Sequence, residues 1–589
     1  MPTAEYPLPA QQNKDAARKA EGFSTPKEDK KPQCARILPK RVLPVIFLPG
    51  IMGSNLRMSE QRQKELKQKD NIAWRPDVLS AGNAHKNATM TPGERQLRLD
   101  PLRTTVDIYD PSGKAEVSGD GRHANVEFVD SFRSPLLKSD PLVLPKPRTA
   151  VQKARERGWG EVFFKSYGEL LQHLESRLNN TFSDDAVRPE WGDVVGVDPQ
   201  GWMPHPSRPQ KPLTEAELKA VADGCWFAVY AFGYNWLQSN GDSAKIIATR
   251  INKVIADLTQ SGYECNQVIV VTHSMGGLVG KALIHPKYGN LQDKVLGIVH
   301  GVMPAIGAPA AYKRMRAGFE DPGMVSASAS VMQTSVTAKV LGNCGDEVTA
   351  VLANAEGGLQ LLPTESYGNG WLRVRHNGHD LDSWPKNGDP YNEIYKVQKK
   401  WYALFREEWI NPSHRPPKNG GGSFERTSRY LNRVQNFHQT IANTYHPNSY
   451  AHYGADTNHQ SFGEVVWEIR NCTDSTGWQD WPIVGDTRQG RLELVPWDKG
   501  GVNNIGALPF NDASPNPVYA EIRPPSAPGD QTVLAQSADH QLNSGVFKGI
   551  FRQTGYEHQS SYKDPRAIAS TLYSIVRIAQ EASWQCKKE

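Results

Sequence analysis

The run Val268-Ile-Val-Val-Thr-His-Ser-Met-Gly-Gly-Leu-Val279 constrains this chain more than any other stretch of it. Four β-branched residues in a row, Val268 to Val271, suit a strand covered on both faces, and Gly276 with Gly277 lets a helix start hard against it. A strand that passes straight into a helix leaves one residue strained at the tip of the turn, here Ser274. Its hydroxyl stands clear of its own backbone, and the amide of Met275 can donate to a developing oxyanion. The five residues Thr272 to Gly276 keep the G-x-S-x-G pattern of a nucleophile turn except that Thr272 stands where the first glycine would be. A β-branched side chain needs more room where strand and helix pack closely.

The text on either side of the turn supplies further core elements. Val42 to Leu48 reads as a first strand ending in Pro49-Gly-Ile-Met-Gly-Ser54, whose glycines let backbone amides approach a ligand. Ile51 is the expected second oxyanion donor beside Met275. Trp226 to Phe232 reads as another strand, Ser243 to Leu258 as an amphipathic helix, and Val295 to His300 as the strand after the turn. Strand alternating with helix predicts a parallel sheet covered by helices, the α/β-hydrolase arrangement. From about 310 to 515 that alternation is lost: residues 320–360 are rich in small side chains, and Gly420 to Gly422 looks like a linker. Such an excursion is how a hydrolase carries a lid. The pattern returns with Val518 to Ile522, Gly545 to Phe551 and a closing helix from Arg566 to Ala582. The expected division is a disordered arm over 1–40, a first part of the hydrolase core over 41–310 with an insertion at about 55–215, a cap, lid and partner-binding region over 311–515, and the last strands and closing helix over 516–589.

Ester cleavage by serine needs a base for the hydroxyl proton, an acid to orient that base, and amides to hold the oxyanion. The chain order for this fold is Ser, Asp, His. Ser274, Asp530 in Pro528-Gly-Asp530, and His558 in Gly555-Tyr-Glu-His558 satisfy it. His540 is a rival base but precedes the last strand, and the rival acids Asp539 and Asp380 lack a strand-to-turn setting. No cofactor is expected. The histidines His438, His446, His452 and His459 match neither a helical pair nor a finger spacing, so no metal is expected either. Six scattered cysteines imply no disulfide framework and a chain made in a reducing cytoplasm.

A net charge of +5 on 68 basic and 63 acidic residues is too small to argue for a nucleic-acid partner. No apolar run approaches the ~20 residues of a spanning helix. The polar text through Lys40 lacks the apolar core of a signal peptide.

Phe47-Leu-Pro-Gly-Ile-Met-Gly-Ser54, Gly233-Tyr-Asn-Trp236, His273-Ser-Met-Gly-Gly277 and Gly529-Asp-Gln-Thr-Val533 resemble lipases related to lecithin:cholesterol acyltransferase. With the polar arm and the ending Gly555-Tyr-Glu-His-Gln-Ser-Ser-Tyr562, the chain resembles the third family of antibacterial lipase effectors of the bacterial type VI secretion system. That resemblance implies synthesis in the bacterial cytoplasm, delivery with a secretion adaptor and spike protein, and action on membrane phospholipids in the target periplasm. It also implies a cognate immunity protein. A non-catalytic interaction protein of the same fold, and an acyltransferase using the same three residues, stay open at this point.

Overall fold

Val268–His273 is buried at every position and lies at the middle of a six-stranded sheet. The computed structural model describes residues 11–12, 18–22, 33–37, 39–78, 89–110, 126, 149–183, 185–320, 341–414, 423–496 and 518–584. The sheet strands are β1 (Val45–Leu48), β2 (Val229–Ala231), β3 (Val268–His273), β4 (Val295–Gly301), β5 (Ser449–Gly454) and β6 (Phe547–Gln553). Their spatial order is β2-β1-β3-β4-β5-β6, and every neighbouring pair is parallel.

Because side chains alternate across a strand, each apolar run serves two cores. Ile46, Leu48, Val268, Val270 and Ile298 face one way and pack with Ile247 and Ile251 of a long helix and with Leu278 and Val279 of the helix after the turn. Val45, Phe47, Ile269, Val271 and Val299 face the other way, against Leu170, Leu171 and Leu174 on one helix and Leu572, Ile575 and Val576 on another. In chain order these helices are α1 (Phe164–Leu178), α2 (Asn240–Gln260), α3 (Gly276–Ile284) and, after α4 (Pro309–Ala317), α5 (Pro565–Ala579). Each fully buried Val, Ile or Leu contributes about 1.5–3 kcal/mol relative to exposure, so this double-sided burial is what holds the strand carrying Ser274 rigid.

Two expected strands are shorter than their apolar runs. Val42 to Leu48 splits into Arg41–Val42 and β1, and Trp226 to Phe232 splits into Cys225–Trp226 and β2, at matching positions. Pro44 is the cause: it has no N–H to offer the neighbouring strand, although its carbonyl still accepts from Ile269.

The cap assigned to 311–515 needs a correction, because β5 lies inside it and is a central-sheet strand between β4 and β6. Val518–Ile522, taken as a returning core strand, belongs instead to a second six-stranded sheet. There it pairs antiparallel with Val465–Arg470 and Arg491–Leu494. Leu372–His376, His379–Trp384 and Ile483–Asp486 complete that sheet. Its buried residues Leu372, Val374, Val465, Trp467, Ile469 and Leu492 join the same apolar cluster as Ile46 and Val270, so cap and core share one interior. The 55–215 insertion holds a small antiparallel sheet of Leu56–Met58, Ile72–Trp74 and Thr104–Val106. The expected linker Gly420 to Gly422 and most of the 1–40 arm lie outside the described residues; within the arm, the backbones of Arg18–Gly22 and Gln33–Ile37 pair antiparallel. Among the described residues no helix is long and apolar enough to cross a membrane.

Candidate active site

Ser274 sits between β3 and α3 with φ at 53°, the left-handed region that costs a residue with a Cβ roughly 1–2 kcal/mol. The surroundings hold it there. Its amide donates to the Gly301 carbonyl at 2.8 Å. A Cβ on Gly276 would lie 2.5 Å from the Leu48 carbonyl oxygen, so only glycine lets the helix begin this close to β1. The Thr272 departure is absorbed further along α3. A Cβ on Gly280 would stand 3.3 Å from the Thr272 Cγ2, and the glycine there gives the extra methyl its room.

The hydroxyl of Ser274 donates to Nε2 of His558 at 2.8 Å, and Nδ1 of His558 donates to Oδ2 of Asp530, also at 2.8 Å. Asp530 is 1% exposed, and its other oxygen accepts the amides of Val533 at 2.7 Å and Thr532 at 3.1 Å. The His558 amide donates to the Asp530 carbonyl at 2.9 Å, which ties the two loops together by backbone as well. The three residues expected from the sequence therefore stand in one hydrogen-bonded line. The rivals are engaged elsewhere: Asp539 accepts from Tyr453 and Arg552, Asp380 pairs with Arg373 and Arg375 on the second sheet, and His540 lies on the helix Ala535–Asn543.

Met275 and Ile51, the expected oxyanion donors, flank the serine from two loops. Neither amide donates to a protein acceptor among the described residues. Three aromatic side chains pin the loop that carries Ile51. Tyr234 donates to the Pro49 carbonyl at 2.7 Å, Trp74 donates to the Met52 carbonyl at 2.7 Å, and Tyr167 accepts the Gly50 amide at 3.3 Å.

Tyr167 is a partner that the sequence did not single out, and His273 stood there only as part of a motif, without a role. His273 must carry its proton on Nε2, because that nitrogen faces the His558 carbonyl, an acceptor, at 3.0 Å. Its Nδ1 then accepts from the Tyr167 hydroxyl at 3.0 Å, and Gln559 donates to the same hydroxyl at 3.4 Å. Burial, and then the nearby His558, push the His273 imidazole well below its usual range, so it stays neutral. Burial likewise pushes the Tyr167 phenol up to about 12. A neutral relay thus connects the loop of Ile51 to the loop of His558. Tyr167 is 106 residues from His273, with no motif to announce it.

Ser274, His558 and Asp530 open into a cavity of about 540 Å³, whose walls include Ile51, Phe163, Ala308, Ala311, Met315, Phe319, Leu352, Leu361 and Phe462. Most of that wall is apolar and much of it comes from the cap. The four histidines weighed as a metal set go to separate partners: His438 to the Gln360 carbonyl, His446 to the Asn448 amide, His452 against the Tyr562 ring and His459 to Asp456. Among the described residues no group of three or more His, Cys, Asp and Glu side chains could hold a metal ion.

No protein-family model matches the chain, and no curated protein does. Among solved structures it is similar to a chain of the crystal structure of the Tle4-Tli4 complex, at 29% sequence identity and a TM-score of 0.69. The match covers 92% of this chain and 99% of that one. Together with the all-parallel central sheet, that likeness makes the fold an α/β-hydrolase with a large cap.

Proposed function

We propose that this chain is an antibacterial lipase effector of the type VI secretion system that cleaves acyl esters of membrane phospholipids through an acyl-enzyme on Ser274. The observation that carries the reading is the unbroken line Ser274–His558–Asp530 at the wall of an apolar cavity. His558 takes the serine proton as Oγ attacks the ester carbonyl, and the amides of Met275 and Ile51 hold the oxyanion. The same histidine then protonates the leaving lysophospholipid. Water, activated in turn by His558, releases the fatty acid. Asp530 keeps the imidazole in the tautomer that can accept from Ser274 and stabilises the imidazolium.

Likeness to a complex of Tle4 with Tli4 supports the broader assignment, a type VI lipase effector with an immunity partner. The motif resemblance named the third family of such effectors, whereas the structural likeness is to a protein designated Tle4; the reading adopted is the one common to both. Delivery with an adaptor and spike, and action in the periplasm of the target cell, belong to the same proposal. An inactive scaffold would have no call for a serine held at a left-handed φ and hydrogen-bonded to a buried His-Asp pair.

A fluorophosphonate probe should label the protein at Ser274, and Ser274→Ala should abolish labelling and slow release of fatty acid from phospholipid vesicles by about 10⁶-fold while the protein stays folded. Undiminished turnover by folded Ser274→Ala would end the reading. Accumulation of acylated acceptor instead of free fatty acid would move it to acyl transfer.

A further inference from the structure

Beside the candidate triad the cavity wall changes from apolar to charged. Arg314 lies in the last turn of α4 and lines the cavity along with Phe319, Glu320 and Thr532. Its Nε donates to Oε2 of Glu320 at 3.1 Å, and Nζ of Lys313 lies 3.0 Å from the other oxygen. The two cations are 17% and 12% exposed in their side chains, against 39% for Glu320, while the Glu320 Oε1 that meets Lys313 is itself buried. Burial alone would raise the Glu320 carboxyl, yet the charges of Arg314 and then Lys313 outweigh it and bring it down to about 2. The fork is held in place. A terminal nitrogen of Arg314 donates to the Thr532 hydroxyl at 3.1 Å, Thr532 donates its amide to Asp530, and the guanidinium lies 5.0 Å from the Phe319 ring centre.

A guanidinium and an ammonium converging on two oxygens of one monoanion form a phosphate-shaped receptor. A phosphodiester also carries one negative charge and offers two such oxygens, so exchange of Glu320 for it leaves the local charge unchanged. A neutral acylglycerol has nothing to offer two partly desolvated cations. We infer that Lys313 and Arg314 form the subsite for the headgroup phosphodiester of a glycerophospholipid, and that the Glu320 carboxylate occupies this subsite until lipid displaces it. The inference rests on the hydrolase reading above and adds which lipids the site takes and why.

The test uses the full chain with two short-chain substrates that differ only in the headgroup, dihexanoyl phosphatidylglycerol and dihexanoylglycerol. Arg314→Gln should lower kcat/KM on the phospholipid by about ten-fold or more, the equivalent of one charged hydrogen bond, while changing diacylglycerol turnover by less than about two-fold. Glu320→Gln should lower KM for the phospholipid several-fold and leave the diacylglycerol unaffected. A parallel loss on both substrates, or no change on either, would overturn the subsite. Binding of dihexanoyl phosphatidylglycerol to Ser274→Ala, compared with Ser274→Ala/Arg314→Gln, reads the same contact without turnover, and equal affinity or no binding would also overturn it. Inorganic phosphate separates a lipid site from a free-anion site: if it blocked phospholipid binding at equal concentration, the headgroup assignment would fall. Absence of fluorophosphonate labelling and of turnover on both substrates would count against the triad alone, since the binding arm does not depend on it.

Discussion

Replacing Tyr167 by Phe tests whether the relay through His273 positions the reacting groups or merely fills space. The ring would stay, keeping its contacts with Phe47 at 4.9 Å and His273 at 5.3 Å between centroids. What disappears is the hydroxyl that donates to His273 at 3.0 Å and accepts from Gly50 at 3.3 Å and Gln559 at 3.4 Å. Gln559 keeps its bond to Ser166, so two buried groups lose a partner, and the His273 nitrogen loses the shortest bond. At about 1–3 kcal/mol for an orphaned buried acceptor and less for the long amide contact, the stability cost is roughly 2–3 kcal/mol. A domain with about 5–15 kcal/mol in hand stays folded after such a loss. Removing an oxyanion donor outright costs about 10²–10³ in kcat, but here Ile51 is retained and only its neighbour loses a tether, so a fall of about ten- to thirty-fold is expected. KM for p-nitrophenyl butyrate should barely move, while the rate of fluorophosphonate labelling should fall in step with kcat. A lower melting temperature with kcat within about two-fold of the parent would refute the positioning argument. A loss above a thousand-fold would equally refute it, by giving Tyr167 a direct part in the chemistry.

Four further outcomes follow from the same geometry. Asp530→Asn should cost about 10⁴ in kcat by inverting the favoured tautomer of His558, and Ser274→Ala with His558→Ala should be no slower than either alone, whereas multiplying losses in the double variant would mean that the two act separately. Among the described residues the buried Thr272 hydroxyl has no hydrogen-bond partner, so Thr272→Val, which keeps the shape, should leave the melting temperature unchanged or raise it; a clear drop would reveal a partner for the hydroxyl. Burial pushes the Lys281 ammonium from 10.5 down to about 7. The unfolded chain therefore keeps a proton that the folded protein releases across that window, and stability rises with pH by at most about 1.4 kcal/mol per unit. Melting curves should show Lys281→Met with its largest advantage over the parent at or below pH 7 and a shrinking one toward pH 10; a gap independent of pH would refute the shift.

The parts of the site that could be read from the sequence carry local signals. The strand, the glycine pair and the serine are adjacent in the chain, and Asp530 and His558 each follow or precede recognisable strand text in the order the fold demands. β5 was missed because Ser449-Tyr-Ala-His-Tyr-Gly454 is buried throughout yet contains no aliphatic run; its interior is built from aromatic and small residues. The second sheet was missed for a different reason: the half-buried Arg373 and Arg375 alternate with the buried Leu372 and Val374 and make that text look polar, while its strand Val518–Ile522 was legible but was assigned to the central sheet. Gly280 was within reach of a helical count from Gly276, the first residue of α3 and one turn before it. Tyr167 was not, because nothing near it in the chain needs it, and only the folded sheet brings α1 to the turn.

The sequence separation of 284 between Ser274 and His558 sets an order of assembly. A ribosome that has released β1 to β4 has made the serine turn and most of the parallel sheet, but neither the acid, the base, nor the outer strands β5 and β6. Domains gain structure from the N-terminus as they emerge, while contacts of such long separation form late. An abortive or proteolysed chain ending anywhere before Asp530 therefore carries a nucleophile with no proton acceptor. For a chain whose proposed substrate surrounds the cell that makes it, chemical competence arrives only with the last strand and the loop after it.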